Sequence, residues 1–154
     1  MKNYKSDFLI IGSGIAGLSL ALRLEKFGSV SIVTKREISD TNTAVAQGGI
    51  ASVCQKDDSF EKHVDDTISA GSGLCRKDVV ELVVEQAPER IGELENWGVV
   101  FDRDIGLEGG HSERRILHSG DNTGKVIETA LVKQIKKSKN IRVFENFVSV
   151  NLIT

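Results

Sequence analysis

The stretch from Phe8 to Thr34 constrains the fold more than any other part of this sequence. An uncharged apolar run at residues 8–11 leads into a hexapeptide from Gly12 to Gly17, and apolar residues with helical spacing continue to Lys26. A second apolar run follows at residues 30–33. This order predicts a strand, a tight turn, a helix and a second strand.

The three glycines of the turn have separate roles in that prediction. Gly12 allows the sharp turn, Gly14 lets a pyrophosphate approach the backbone, and Gly17 lets the helix pack closely on the strand. The free N–H groups and the dipole of the helix start then hold the phosphate charge. Three glycines in an ordinary core helix would cost roughly 2–3 kcal/mol without any gain. The stretch therefore predicts a dinucleotide-binding α/β fold, Rossmann-like, with a parallel sheet flanked by helices.

The end of the second strand departs from the usual pattern. Many dinucleotide folds place an acidic residue there for the adenosine ribose, but this sequence reads Thr34-Lys35-Arg36. Either Glu37 is recruited or a basic residue acts instead. Taken alone, Lys35 and Arg36 favour a 2′-phosphate and hence NADP, and two solvated loop charges explain them equally well.

Composition excludes several classes of protein. The chain of 154 residues suits one domain, and a net charge of −2 gives no reason to expect nucleic acid or membrane as a partner. Its two cysteines form no disulfide framework, which favours a reduced, cytoplasmic setting. Cysteines and histidines lack the spacing of zinc ligands, so no metal site is predicted.

Two further segments are unusual in composition. Residues 44–51 are small and contain a Gly-Gly pair, which suits either a segment lying against a flat ligand or a tightly packed loop. Residues 106–124 are rich in glycine, histidine and charge, which is typical of a functional loop but also of a solvated hairpin.

The remaining elements are predicted from periodicity and capping residues. Asp58 with Glu61 forms a capping box, Asp78 caps a longer helical run that Pro88 kinks or divides, and Thr123 starts a helix to about Lys137. Strands are predicted at Val99–Phe101, Ile141–Phe144 and Phe147–Thr154. The strand at Ile141 is expected to lie parallel beside the second strand.

A family resemblance is carried by two motifs read together with the glycine turn. They are the segment Asn42 to Ala51, which contains Ala-Gln-Gly-Gly-Ile, and Glu108-Gly109-Gly110-His111-Ser112 with the Arg-Arg-Ile-Leu-His that follows. With these motifs the whole chain resembles the N-terminal part of L-aspartate oxidases, within the fumarate reductase and succinate dehydrogenase flavoprotein superfamily. Residues 1–154 are accordingly expected to be the N-terminal portion of an FAD-binding domain that is incomplete at its C-terminus.

The resemblance implies FAD rather than NADP, with a Thr-Lys pair in place of the acidic ribose ligand. The implied cofactor-binding residues are Gly12, Ser13, Gly14, Ile15, Ala16, Gly17, Lys35, Asn42, Thr43, Ala44, Val45, Ala46, Gln47, Gly48 and Gly49.

The implied reaction is oxidation of L-aspartate to iminoaspartate in NAD biosynthesis, with oxygen or fumarate as electron acceptor and quinolinate synthase as the downstream enzyme. The alternatives are a succinate- or fumarate-type flavoprotein subunit and a non-catalytic NADP-type module.

Two positions distinguish the relatives. Asn42 replaces the histidine to which succinate dehydrogenases attach their flavin, so the resemblance implies non-covalent FAD. Glu108 supplies a carboxylate that succinate dehydrogenases lack, and it implies recognition of the substrate amine.

The family's catalytic arginine lies beyond Thr154, so no catalytic role is implied for Arg114, Arg115 or His118. His111 is a candidate to line the substrate loop, and the two arginines are equally compatible with structural roles. The isolated piece is expected to be inactive and prone to aggregate, because its sheet would have unpaired edges.

Overall fold

The structure, a computed structural model, describes residues 3–151 and residue 153. In that part of the chain the elements follow the order β1 (Phe8–Ile11), α1 (Ile15–Leu24), β2 (Val30–Val33), α2 (Asn42–Val45), β3 (Ile50–Ala51), α3 (Phe60–Ala70), α4 (Lys77–Asn96), β4 (Ile116–Leu117), α5 (Thr123–Lys137) and β5 (Ile141–Phe144). The chain divides into two compact units: unit 1 comprises Met1–Ala46 and Gly124–Thr154, and unit 2 comprises Gln47–Thr123.

Unit 1 is built on a parallel three-stranded sheet in the order β1-β2-β5. Val30 of the central strand lies opposite Phe8 on one side and Ile141 on the other. Val30 and Ile32 are buried, as expected for a strand with neighbours on both sides. Helix α1 packs on β1 and β2 through a buried side that includes Leu18. The predicted α/β class and the predicted third parallel strand are both confirmed.

The glycine turn has the geometry that the sequence predicts. Gly12 has a φ of +105°, a backbone conformation that is unfavourable for a residue with a side chain. A Cβ built on Gly17 would lie 2.1 Å from the carbonyl oxygen of Gly12 and 3.4 Å from Ile10 Cγ2. Glycine at position 17 therefore lets the first turn of α1 sit directly against the turn that precedes it.

Unit 2 combines a helix pair with a short ribbon. Helices α3 and α4 pack together, and Val64, Val84, Ile91 and Leu94 are among their buried side chains. Strands β3 and β4 pair antiparallel, with Ile50 opposite Leu117. This ribbon was not predicted, because each of its strands has only two residues.

The predicted helix starts at Asp58 and Asp78 are wrong. Ser59 caps α3, since its hydroxyl accepts from the Lys62 N–H, while the Asp58 carboxylate is engaged by an arginine distant in sequence. Helix α4 follows Arg76, and Asp78 lies in its first turn. Pro88 lies inside this single helix of 20 residues, so the division into two helices is also wrong.

Two predicted strands are absent from the described residues. Residues 99–101 form no strand, because the Val99 N–H closes the end of α4 by donating to the Leu94 carbonyl. Residues 147–151 and 153 form none either; Leu152 and Thr154 lie outside the described residues. Asn146 has a φ of +61°, which turns the chain out of the extended direction directly after β5.

None of the helices in the described part of the chain combines the length and the apolar character needed to cross a bilayer.

Replacing Gly17 with alanine is expected to destabilise the protein. The new methyl would overlap the Gly12 carbonyl, and overpacking of this kind typically costs about 1–3 kcal/mol. Gly92→Ala in α4 is the matched control, because nothing lies within 4 Å of its Cβ position and alanine favours a helix by up to about 1 kcal/mol. Urea denaturation measures both changes; equal stability of the two variants would contradict this account.

Candidate functional site

A cleft of about 690 Å³ in unit 1 adjoins the glycine turn, the end of β2 and helix α2. Seven of the residues predicted to bind the cofactor line this cleft: Gly12, Ser13, Gly14, Lys35, Asn42, Thr43 and Val45. Ile15, Ala16, Gly17, Ala44 and Ala46 belong to the same unit but are not among the lining residues. Its volume lies within the range of small-molecule sites.

Helix α2 is fastened directly to the glycine turn. The Ile15 N–H donates to Thr43 Oγ1 at 3.0 Å, so Thr43 caps α1, whose own N-cap residue Gly14 has no side chain. A Cβ on Gly14 would approach Thr43 Oγ1 to 3.3 Å. Glycine at position 14 thus leaves room for the Thr43 hydroxyl as well as leaving the backbone open. The contact with Thr43 could not be predicted from the sequence.

The nucleotide end of the cleft is basic. Lys35 and Arg36 line it and Glu37 does not, so the structure gives no support to recruitment of Glu37. Asp40 also lines the cleft, but its carboxylate accepts from Arg36 Nη1 at 3.1 Å. The buried Thr34 hydroxyl accepts from Ser13 Oγ at 3.0 Å and links β2 to the turn.

These residues fit an anionic dinucleotide. Gly12 and Gly14 leave the backbone of the turn uncovered, and α1 directs its N-terminal N–H groups and dipole toward the same place. Lys35 adds a positive charge in the cleft lining. The turn would therefore hold a pyrophosphate, and Lys35 would lie near the nucleotide that follows it.

Helix α5 supports the back of α2. The Gly124 N–H donates to the Ala46 carbonyl at 3.1 Å, and a Cβ on Gly124 would lie 1.9 Å from the Thr43 carbonyl oxygen. Thr41 caps α2, because its hydroxyl accepts from the Ala44 N–H at 3.1 Å. The segment predicted to contact the cofactor is thus held by close backbone packing.

A buried carboxyl group lies behind this segment. Glu128 of α5 is 1% exposed, and neither of its carboxyl oxygens makes a hydrogen bond of normal geometry. Burial raises the pKa of Glu128 to about 7, and the Thr41 hydroxyl offsets part of the rise. Sequence analysis missed this residue, because a glutamate inside an amphipathic helix is ordinarily solvated.

In unit 2, the predicted substrate carboxylate lies beside a predicted cofactor residue. A Cβ built on Gly48 would be 3.7 Å from Glu108 Oε1. The neighbouring glycine is confined instead, since a Cβ on Gly49 would lie 2.3 Å from the Leu117 carbonyl oxygen. Packing therefore explains Gly49, whereas Gly48 leaves space next to Glu108.

Arg115 is the central residue of the loop that carries Glu108. Its side chain is fully buried, Nε and Nη2 donate to the two Asp58 oxygens at 2.8 and 2.6 Å, and Nη1 donates to Asp66 Oδ2 at 2.6 Å. Hydrogen bonding from Arg115 lowers the pKa of Asp58. Burial alone would raise the pKa of Asp66, but hydrogen bonds from Ser112 and Arg115 outweigh this effect and lower the pKa to about 2. Arg115 is therefore structural, one of the two possibilities that the sequence left open.

Sequence analysis could not identify this network, because its members are separated by 57 and 49 residues. Arg114, in contrast, is exposed and donates to the Ile105 carbonyl at 3.3 Å. His118 lies between Asp102 and Asp104, at 3.3 and 3.4 Å.

Removing the charge of Arg115 is expected to destabilise the protein strongly. In Arg115→Met the stem is kept, but Asp58 and Asp66 lose their partner, and an uncompensated buried charge costs roughly 3–5 kcal/mol. Arg76→Met is the control, because the Arg76–Asp78 pair is largely exposed and contributes about 0–1 kcal/mol. Chemical denaturation compares the free energies of unfolding, and similar losses in both variants would refute the assigned difference.

Stability is expected to depend on pH through Glu128. Its pKa in the folded protein is about 7 against an ordinary 4.5, so the folded state keeps a proton that the unfolded state has lost between these values. The contribution of Glu128 to the free energy of unfolding therefore falls by about 3 kcal/mol as pH rises from about 4.5 to about 7. Above about pH 7 this contribution no longer changes with pH.

Glu128→Gln removes this dependence and is expected to be more stable than the wild type at pH 8. Urea denaturation at pH 5, 6, 7 and 8 gives the difference between the two proteins. A difference that does not vary with pH would contradict the assignment.

Comparison with known proteins agrees with this site. Residues 7–154 match the family described as FAD binding domain. The chain is 46% identical, over 96% of its length, to L-aspartate oxidase 2-b, chloroplastic, of Nicotiana tabacum, and 44% identical, over 96%, to L-aspartate oxidase of Acinetobacter baylyi. It covers 24% and 28% of those proteins, about a quarter of their length.

Among solved structures, a variant of E. coli quinol fumarate reductase superposes with a TM-score of 0.89 at 30% identity, covering 95% of this chain and 26% of that one. The family match confirms FAD as the cofactor and removes the NADP interpretation of Lys35 and Arg36. The chain belongs to the FAD-binding domain family of flavoproteins, and within it resembles L-aspartate oxidases.

Proposed function

We propose that the complete protein is an FAD-dependent oxidase that converts L-aspartate to iminoaspartate. The observation that carries the proposal is the 44–46% identity to L-aspartate oxidases over nearly the whole chain. Glu108 beside Gly48 supports it, because a carboxylate there can accept hydrogen bonds from an α-ammonium group.

The cofactor would be held mainly by the residues of the cleft in unit 1. Backbone N–H groups at Ser13, Gly14 and Ala16 would bind the pyrophosphate, and Lys35 would meet the nucleotide end. FAD would supply the acceptor for a hydride from the substrate Cα, with oxygen or fumarate as the final electron acceptor. Asn42 lines the cleft and has no nucleophilic side chain, so the proposed binding is non-covalent.

Glu108 is suited to recognise the substrate because its charge is not neutralised by the protein. Its carboxylate makes no hydrogen bond or ion pair within residues 3–151, whereas Asp58, Asp66 and Glu113 in the same unit are each bound to a basic side chain. An exposed and unpartnered carboxylate attracts an ammonium group and repels a dicarboxylate without one. Glu108 would therefore favour aspartate over succinate.

The wider biological assignments follow from the same proposal. Residues 1–154 would be the N-terminal portion of the FAD-binding domain of a longer cytoplasmic enzyme. Iminoaspartate would enter NAD biosynthesis, with quinolinate synthase as the enzyme that consumes it.

A direct experiment on the proposed function uses the full-length, FAD-loaded protein without oxygen. Addition of L-aspartate is expected to bleach the visible flavin absorbance, and succinate is not. Bleaching by succinate but not by aspartate would show a succinate-type flavoprotein instead.

Glu108→Gln is expected to weaken L-aspartate turnover strongly. Once bound substrate covers Glu108, the charge pair would lie in a partly dry site, where loss of one partner costs roughly 2–5 kcal/mol and would appear in kcat/KM for aspartate. Succinate binding should be unchanged or tighter, because the repelling charge is gone. Glu113→Gln is the control, since Glu113 lies in the same loop but pairs with Lys62 at 2.6 Å. Unchanged aspartate kinetics in Glu108→Gln would exclude the role.

A further inference from the structure

The turn that carries Glu108 also carries His111, and it is held in a defined conformation. The His111 N–H donates to the Glu108 carbonyl at 3.3 Å, and Gly110, with a φ of +86°, occupies the position of the turn that needs a left-handed residue. The next residue, Ser112, donates from both its N–H and its hydroxyl to Asp66 Oδ2 at 2.8 Å. Both side chains thus project from one turn that is bound to α3.

The His111 ring is bound to Arg115 by one nitrogen. Nη1 of Arg115 lies 3.1 Å from Nδ1 of His111, and the same Nη1 donates its other hydrogen to Asp66. A guanidinium has five N–H donors and no acceptor. Nδ1 of His111 must therefore be the acceptor in this contact, and the ring proton lies on Nε2.

A second histidine, His63 of α3, lies next to the His111 ring. The ring centroids of His63 and His111 are 5.5 Å apart, and His63 is buried. Burial, followed by the positive charge of Arg115, lowers the pKa of His63. His63 therefore adds no positive charge behind the ring, and Nε2–H of the half-buried His111 is the donor left for a ligand.

Glu108 and His111 together form a complementary pair for an α-amino acid. The Glu108 carboxylate only accepts hydrogen bonds, and His111 in this tautomer donates through Nε2. An amino-acid dicarboxylate offers an ammonium donor and carboxylate acceptors. We propose that His111 is a substrate-binding residue whose Nε2–H donates to a substrate carboxylate, with Arg115 as the positioning residue that sets its tautomer. This inference rests on the proposed function for the identity of the ligand.

The tautomer is tested first, by NMR on the FAD-loaded, full-length protein with ¹⁵N-labelled histidine. The His111 resonances are assigned as those that His111→Gln removes. We expect an unprotonated Nδ1 and a protonated Nε2 at pH 7. A proton on Nδ1 would overturn the inference, and this readout is independent of enzyme activity.

Two substitutions then test the contact with the ligand. The amide nitrogen of glutamine reaches approximately the position of Nε2, and that of asparagine reaches approximately the position of Nδ1. His111→Asn should weaken binding of both L-aspartate and succinate roughly 10- to 100-fold, the loss expected for a hydrogen bond to a charged group, whereas His111→Gln should stay within about threefold of wild type. His118→Asn is the control histidine and should bind both ligands normally.

Succinate binding is measured from the shift of the flavin spectrum without oxygen, and aspartate affinity from how the rate of flavin bleaching depends on aspartate concentration. Wild-type affinity in both His111 variants, or equal loss in both, would overturn the proposal. Succinate separates this result from the proposed function, because Glu108→Gln should weaken the binding of aspartate alone while His111→Asn should weaken the binding of both ligands. A wild type that binds succinate but does not oxidise aspartate would refute the proposed function and still decide the role of His111.

Discussion

The buried positive charge of Arg115 is the interaction on which the arrangement of unit 2 depends. A guanidinium removed from water is tolerated only where its N–H groups find partners, and here two carboxylates and one imidazole nitrogen supply them. Asp58 precedes α3 and Asp66 lies within it. The requirement to neutralise Arg115 therefore fixes the start of α3 against residues 106–115. With that constraint satisfied, the loop can contain consecutive glycines and still present Glu108 and His111 in one turn.

Unit 1 depends on a constraint of the opposite kind, the absence of side chains. The first turn of α1 meets the Gly12 carbonyl at Gly17, and the start of α5 meets the Thr43 carbonyl at Gly124. At each point backbone atoms occupy the place where a Cβ would be. These contacts bring the glycine turn, α2 and α5 close enough to share hydrogen bonds, such as the one from the Ile15 N–H to Thr43. The cleft owes its shape to this backbone packing rather than to large side chains.

Sequence analysis succeeded where the determining interactions are local. The roles of Gly12 and Gly17 and the parallel strand at Ile141 all follow from neighbouring residues. The start of α3 did not, because Asp58 and Ser59 are both good caps. Only the contact of Asp58 with an arginine 57 residues away leaves the capping role to Ser59. Thr43 as a cap for α1 is likewise a contact across 28 residues that no local pattern indicates.

Charge compensation explains which acidic residues of the loop region are available to a ligand. Asp58 and Asp66 are held by Arg115, and Glu113 is held by Lys62, so each has a cation bound in advance. Glu108 has no such cation, because it lies beside Gly48 and no basic side chain of the described residues contacts it. A carboxylate that the fold has already neutralised gains little from a ligand ammonium, whereas an exposed one in a fixed turn loses little conformational freedom on binding. Arg115 therefore neutralises Asp58 and Asp66 and fixes the turn, while Glu108 stays without a cation, as its proposed role in substrate recognition requires.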